Sequence, residues 1–124
     1  MPTAGEDMTT VLLIATLLCA VANASDAVAN YVRAPFVLAN SAEVRVPPRA
    51  LPYLATLKLA GAVGLVVGLL GVHLLGLAAA VGLTAFFVGA VVVHVRTRVL
   101  HNIAFPGVYL LLAVASTGFF AGGG

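Results

Sequence analysis

Three ionisable side chains interrupt otherwise apolar stretches of this 124-residue chain: Asp26, Lys58 and His94. An ammonium in hydrocarbon costs several kcal/mol unless it is paired or hydrated, so a lysine there is a functional hypothesis by default. Lys58 lies eight residues beyond Ala50, about 12 Å of helix at ~1.5 Å per residue. It has two readings: a stem that snorkels back to the interface, or an interior charge. Asp26 is its natural partner, because a buried carboxylate wants a cation. As a structural clamp the pair only holds two helices together. As a proton-linked or ligand-binding pair, both groups are open to tuning by their surroundings. The clamp is the favoured reading. His94 carries an imidazole, which can serve as a proton relay or as a hydrogen-bond partner to a quinone, carbonyl or headgroup. Tyr53 and Tyr109 are placed at similar depth and add hydroxyls, or anchor the chain at an interface. Asp26, Lys58, His94 and Tyr109 are thus the ligand-binding or charge-pair candidates.

The remaining charges sit asymmetrically. The chain is 62% hydrophobic and 8% charged, with a mean hydropathy of +1.15. It reads as four apolar stretches of transmembrane length. Arg33, Arg45 and Arg49 lie between the first and second stretches, Arg96 and Arg98 between the third and fourth, and the opposite side carries no Lys or Arg. By the positive-inside rule, loops one and three are cytoplasmic and both termini are outside. Arg45, Arg49, Arg96 and Arg98 form a basic rim suited to anionic headgroups or a soluble partner. The net charge of +2 reflects this topology. It is no nucleic-acid footprint, since no basic stripe is interleaved with aromatics.

The residue inventory argues against several chemistries. The single Cys19 forms no intramolecular disulfide and reads as a small buried hydrophobe. His73 falls at the opposite end of the bundle from His94, and His101 in a loop, so a bis-histidine haem site is not expected. No metal-ligand spacing, phosphate-cradling loop, nucleophile elbow or paired acid/base carboxylates appear.

The elements that must position these residues form an all-α membrane protein: a four-helix transmembrane bundle, residues 1–124 as one domain, with one medium loop between helices one and two. The helices are expected at about 8–32, 51–70, 74–95 and 103–121. The first resembles a secretory signal, with an apolar core at Val11–Ala22 and a small-x-small Ala22-Asn23-Ala24. Glu6 and Asp7 give its leading segment the wrong charge, so it is kept as a membrane helix rather than cleaved after Ala24. Thr9 or Thr10 is expected to cap it. Asn23, Asp26 and Asn30 recur at i, i+3 and i+7 and share a helix face, which should turn to the bundle interior. In the loop, Phe36–Ala39 reads as a short interfacial piece ended by Asn40 and Ser41. Gly61, Gly64 and Gly68 in helix two and Gly82 and Gly89 in helix three are expected at helix–helix contacts, within the bundle rather than in a homodimer. Gly71–Gly76 is read as a tight turn.

The stretch from Val46-Pro47 through Leu57-Lys58-Leu59-Ala60-Gly61-Ala62-Val63-Gly64-Leu65 continues to Gly89-Ala90-Val91-Val92-Val93-His94-Val95-Arg96 and Pro106. It resembles the DoxX-like family of small four-helix membrane proteins. Many members carry glutamate where this chain has Lys58. The family includes a subunit of a thiosulfate:quinone oxidoreductase, members linked to membrane oxidoreductase assemblies, and animal assembly chaperones. The resemblance implies a multi-pass protein of the bacterial plasma membrane. The leading functional expectation is a non-catalytic accessory subunit or assembly factor, with a protein partner in the membrane or at its cytoplasmic face. The alternative is a redox-linked module that binds quinone, or another amphipathic ligand, in a pocket lined by Asp26, Lys58, His94 and Tyr109. A transporter is the weakest reading, since no discontinuous helix pair is evident.

Overall fold

The computed structural model describes residues 3–101 and 103–122. The fold is all-α, and no strand occurs among the described residues. Its helices are α1 (Ala4–Tyr31), α2 (Pro35–Glu43), α3 (Leu51–Leu69), α4 (His73–Arg96) and α5 (Ala104–Ala121), with a 3-10 turn at Pro48–Ala50 leading into α3. Four of them, all but α2, are long and apolar enough to cross a bilayer. Consecutive long helices run antiparallel in an up-down-up-down ring: α1 packs on α3 and α5, and α4 packs on the same two. Most of each helix surface is apolar and exposed, including Val21, Leu57, Leu74 and Leu111. Polar side chains turn inward: Thr16, Asn23 and Ser116 are fully buried. Thr16 and Ser116 donate to the carbonyls four residues back, each at 2.8 Å. This inside-out pattern suits a solvent of lipid, where backbone and interior polar groups must be satisfied within the protein.

α1 starts earlier than expected, and neither Thr9 nor Thr10 caps it. Thr3 does: its Oγ1 accepts from the Glu6 N–H at 3.2 Å, and the Thr3 N–H donates to Glu6 Oε2 at 3.0 Å, a reciprocal capping box. Thr9 and Thr10 instead donate to the carbonyls of Gly5 and Glu6. Thr3→Ala is expected to cost about 1 kcal/mol, read as faster amide exchange confined to the first turn.

The loop after α1 is more ordered than the sequence implies. Asn40 and Ser41 do not end its helix, which runs on to Glu43 with Val37 and Ser41 buried. Tertiary contacts override the weak helix preference of those two residues.

The turn between α3 and α4 is shorter than expected. Gly71 takes φ +130°, and α4 begins at His73, so Gly76 lies within that helix. Helices α3 and α4 approach closely there. A Cβ on Gly68 would lie 2.4 Å from the Gly76 Cα, and one on Gly64 would lie 2.6 Å from the Ala79 Cβ. At Gly61 a Cβ would meet the Leu83 side chain at 2.5 Å. Gly82 and Gly89 differ from expectation: the space a Cβ would fill there is open, and the α4 contact falls on Gly76 instead. Small-residue spacing shows that a face exists but not which way it turns.

Three helices end alike. Arg33, Arg45 and Arg98 take φ of 53°, 63° and 60°, just past the ends of α1, α2 and α4. In each case the following N–H reaches back to close the last turn: Ala34 to Ala29 O at 3.0 Å, Val46 to Ser41 O at 2.7 Å and Val99 to His94 O at 2.9 Å. A non-glycine residue in this left-handed region gives up about 1 kcal/mol relative to glycine.

Candidate functional site

Asp26 and Asn30 come from the second half of α1, Lys58 from α3, and His94 from the last turn of α4. The antiparallel ring brings these segments to the same end of the bundle. Lys58 Nζ forms an ion pair with Asp26 Oδ2, and the two side chains retain only 11% and 9% of their exposure. Nζ also lies 3.4 Å from Asn30 Oδ1 and 5.6 Å from the centre of the Phe86 ring, within cation–π range. Lys58 is therefore an interior charge, pointed at α1 rather than drawn back to the interface. The ammonium has three N–H donors. Two are directed at Asp26 and Asn30, which leaves one.

Asn23 does not join this group, although it shares a helix face with Asp26. Its amide donates to Cys19 O at 2.9 Å and contacts Cys19 Sγ at 3.5 Å. Its buried Oδ1 has no partner among the described residues.

His94 is buried on α4. Its Nδ1 lies 2.8 Å from the Ala90 carbonyl, to which it donates, so Nε2 is the ring atom left for other partners. Nε2 lies 3.4 Å from Asn40 Oδ1 on α2. Tyr109 on α5 donates to Ala22 O at 3.2 Å and so ties α5 to α1.

These side chains surround one cavity of about 760 Å³, lined by Asp26, Lys58, His94 and Tyr109 together. Its size falls within the range of small-molecule sites. Helix α2 contributes residues from Phe36 to Glu43 to the lining. A run of aromatic rings forms much of the wall. Phe105 stacks on Tyr109 at 5.4 Å and 16°, Tyr109 meets Phe87 at 5.1 Å, and Phe87 meets Phe86 at 5.0 Å. All four rings line the cavity.

The structure also separates residues that the sequence grouped. Tyr53 is 74% exposed and outside the cavity. Arg45, Arg49, Arg96 and Arg98 are exposed and none lines it. His73 packs edge-on against Phe120 at the far end. His101 pairs with Glu43 at 3.0 Å, linking α2 to the turn before α5.

Sequence reasoning named Tyr109 but missed α2 as a wall and missed the rings of Phe86, Phe87 and Phe105. Part of the ring signal was present: Phe87, Ala90 and His94 recur at i, i+3 and i+7, and Phe105 and Tyr109 at i and i+4, each set on one helix face.

The architecture defines a membrane-embedded four-span bundle with a polar-headed, aromatic-walled cavity at its basic end. The chain belongs to the DoxX-like family, whose profile matches residues 14–116, a stretch that contains every residue lining the cavity. No curated protein and no solved structure matches the chain.

Proposed function

We propose that this protein is a membrane binding module for an amphipathic ligand with a neutral, planar, polar head, with quinones as the best-fitting class. The observation that carries the reading is one cavity holding both an internally compensated ion pair and a wall of aromatic rings. Asp26 already neutralises Lys58, so the cavity offers a polar hydrogen-bonding end without a free charge to attract an anionic head. The remaining Lys58 N–H suits a carbonyl oxygen. His94 Nε2 and the Tyr109 hydroxyl supply polar contacts elsewhere on the wall. Planar rings stack on aromatic faces in offset or tilted arrangements. A quinone held there would supply reversible two-electron, two-proton chemistry. The chain's own part is to orient the head against Lys58 and exclude lipid from it. In this reading the basic loops face the cytoplasm of a bacterial plasma membrane.

Gly89 provides the test. It lines the cavity, and a Cβ there meets nothing within 4 Å. Gly89→Leu is expected to fill the site without disturbing the bundle. Binding of a short-chain quinone to the detergent-solubilised protein, measured by titration calorimetry, should weaken tenfold or more, about 1.4 kcal/mol, with the melting temperature unchanged or raised. Equal binding by the variant and the parent would remove the cavity from the account.

A second reading, a non-catalytic subunit docking a membrane partner, draws on a different observation. A groove of about 600 Å³ between α3 and α4, lined by Gly61, Gly64, Ala78, Ala79 and Gly82, is open to the surroundings. Small residues of this kind let another helix approach closely. Affinity purification from native membranes that returns the chain alone would count against it.

A further inference from the structure

The helix ends of this bundle differ by side. On the face without basic residues, α3 ends on Gly71 at φ +130°. On the basic face, α1, α2 and α4 all end on arginine in the left-handed region: Arg33, Arg45 and Arg98. Glycine is the residue such positions favour, because it has no Cβ to clash there. The chain uses glycine on one face and forgoes it three times on the other. The fold gains little from these arginines in exchange. They are exposed, and among the described residues neither they nor Arg49 and Arg96 pair with a carboxylate. The carboxylates near this end, Asp26 and Glu43, are paired to Lys58 and His101. Five guanidinium groups thus lie at one end of the bundle without a carboxylate partner among the described residues.

Their place at the ends of the long helices indicates what neutralises them. Arg33 follows exposed Val32, Arg96 follows exposed Val95, and Arg98 lies two residues before exposed Leu100. Arg49 lies in the 3-10 turn that leads into α3. Exposed cations and exposed aliphatic side chains are thus near neighbours in sequence, next to the ends of bilayer-length helices. The ends of helices that span the hydrocarbon core meet the headgroup region, where anionic headgroups attract arginines and guanidinium groups bind phosphate bidentately.

We infer that Arg33, Arg45, Arg49, Arg96 and Arg98 form a binding collar for anionic phospholipids in the leaflet on the basic side. The collar is separate from the cavity, since none of the five lines it.

The triple variant Arg33→Gly, Arg45→Gly, Arg98→Gly separates lipid binding from folding. Cys19 is the only cysteine and is fully buried, so its labelling by a thiol-reactive fluorophore during heating reports unfolding. In a neutral detergent the triple variant should melt at or above the parent, because its helix ends are relaxed. Added phosphatidylglycerol should raise the parent's melting temperature more than phosphatidylcholine does. Affinity for phosphatidylglycerol, read by native mass spectrometry, should fall about fivefold for each arginine removed. Should the triple variant not accumulate, the parent alone answers: its co-purified lipid must be enriched in phosphatidylglycerol over the bulk membrane, and high salt must reduce that enrichment. Three results would overturn the collar. One is equal phosphatidylglycerol affinity in variant and parent. Another is no preference of the parent for phosphatidylglycerol over phosphatidylcholine, which leaves the arginines to orient insertion or meet an acidic protein. The third is a marked drop in the variant's melting temperature in neutral detergent, which makes the arginines structural.

Discussion

Lys58→Met is expected to destabilise the bundle by about 3–5 kcal/mol, because it strands the Asp26 carboxylate inside the protein without its cation. The lysine is buried, with Asp26 and Asn30 as its polar partners and the Phe86 ring beneath it. Methionine keeps most of the stem volume, so lost packing explains little of the cost. Asp26→Asn alone should be damaging for the mirror reason, an ammonium left with only amide partners. The double variant Asp26→Asn, Lys58→Met should recover most of the loss, since neither charge then remains to be solvated. A double-mutant cycle by reversible unfolding in mixed detergents measures this directly. Additive single effects, with no recovery in the double variant, would show that the two groups do not form a buried pair. The same cycle followed by quinone titration separates the two roles of the pair. A clamp restores stability and binding together in the double variant. A ligand contact restores stability while binding stays weak, because the free Lys58 donor is gone.

Gly68→Leu is the second large effect, expected at about 3 kcal/mol from overpacking. A Cβ there meets the backbone of Gly76 at 2.4 Å, and backbone yields only if α3 and α4 separate. The neighbouring glycines set a ranking. Gly64→Ala meets the Ala79 Cβ at 2.6 Å and should be the next most costly. Gly61→Ala meets the movable tip of Leu83 and should cost less. Gly82→Ala meets nothing within 4 Å and should stabilise by up to about 1 kcal/mol, the helix-propensity gain over glycine. Thermal melts of the four variants test the order. A destabilising Gly82→Ala would mean that this face is occupied in the native membrane, in favour of the docking reading.

Hydropathy and charge placement made the four spans and the basic end legible, because bilayer thickness sets helix length and interior charges are rare enough to stand out. The shared face of Asn23, Asp26 and Asn30 was legible as a periodicity. Its division was not: Asn23 lies one turn deeper, where its amide donates to Cys19 O and also contacts Cys19 Sγ. Phe87 and Phe105 were legible only through the helix faces they share with His94 and Tyr109, and Phe86 not at all, since an aromatic ring in an apolar helix reads the same whether it faces lipid or a cavity. α2 was legible only as a short apolar piece. Its length depends on the burial of Val37 and Ser41 against the bundle, which local sequence does not encode. The left-handed arginines were equally hidden, because their conformation runs against the preference of the residue type.

The central claim is that the cavity at the basic end holds the polar head of an amphipathic ligand. The most direct measurement is photoaffinity labelling with a quinone carrying its reactive group on the ring, followed by peptide mapping. Labels on Phe86, Phe87 or Tyr109 that disappear in Gly89→Leu are the predicted result. Labels confined to outward-facing residues such as Leu111 and Val114, unchanged by that substitution, would contradict it.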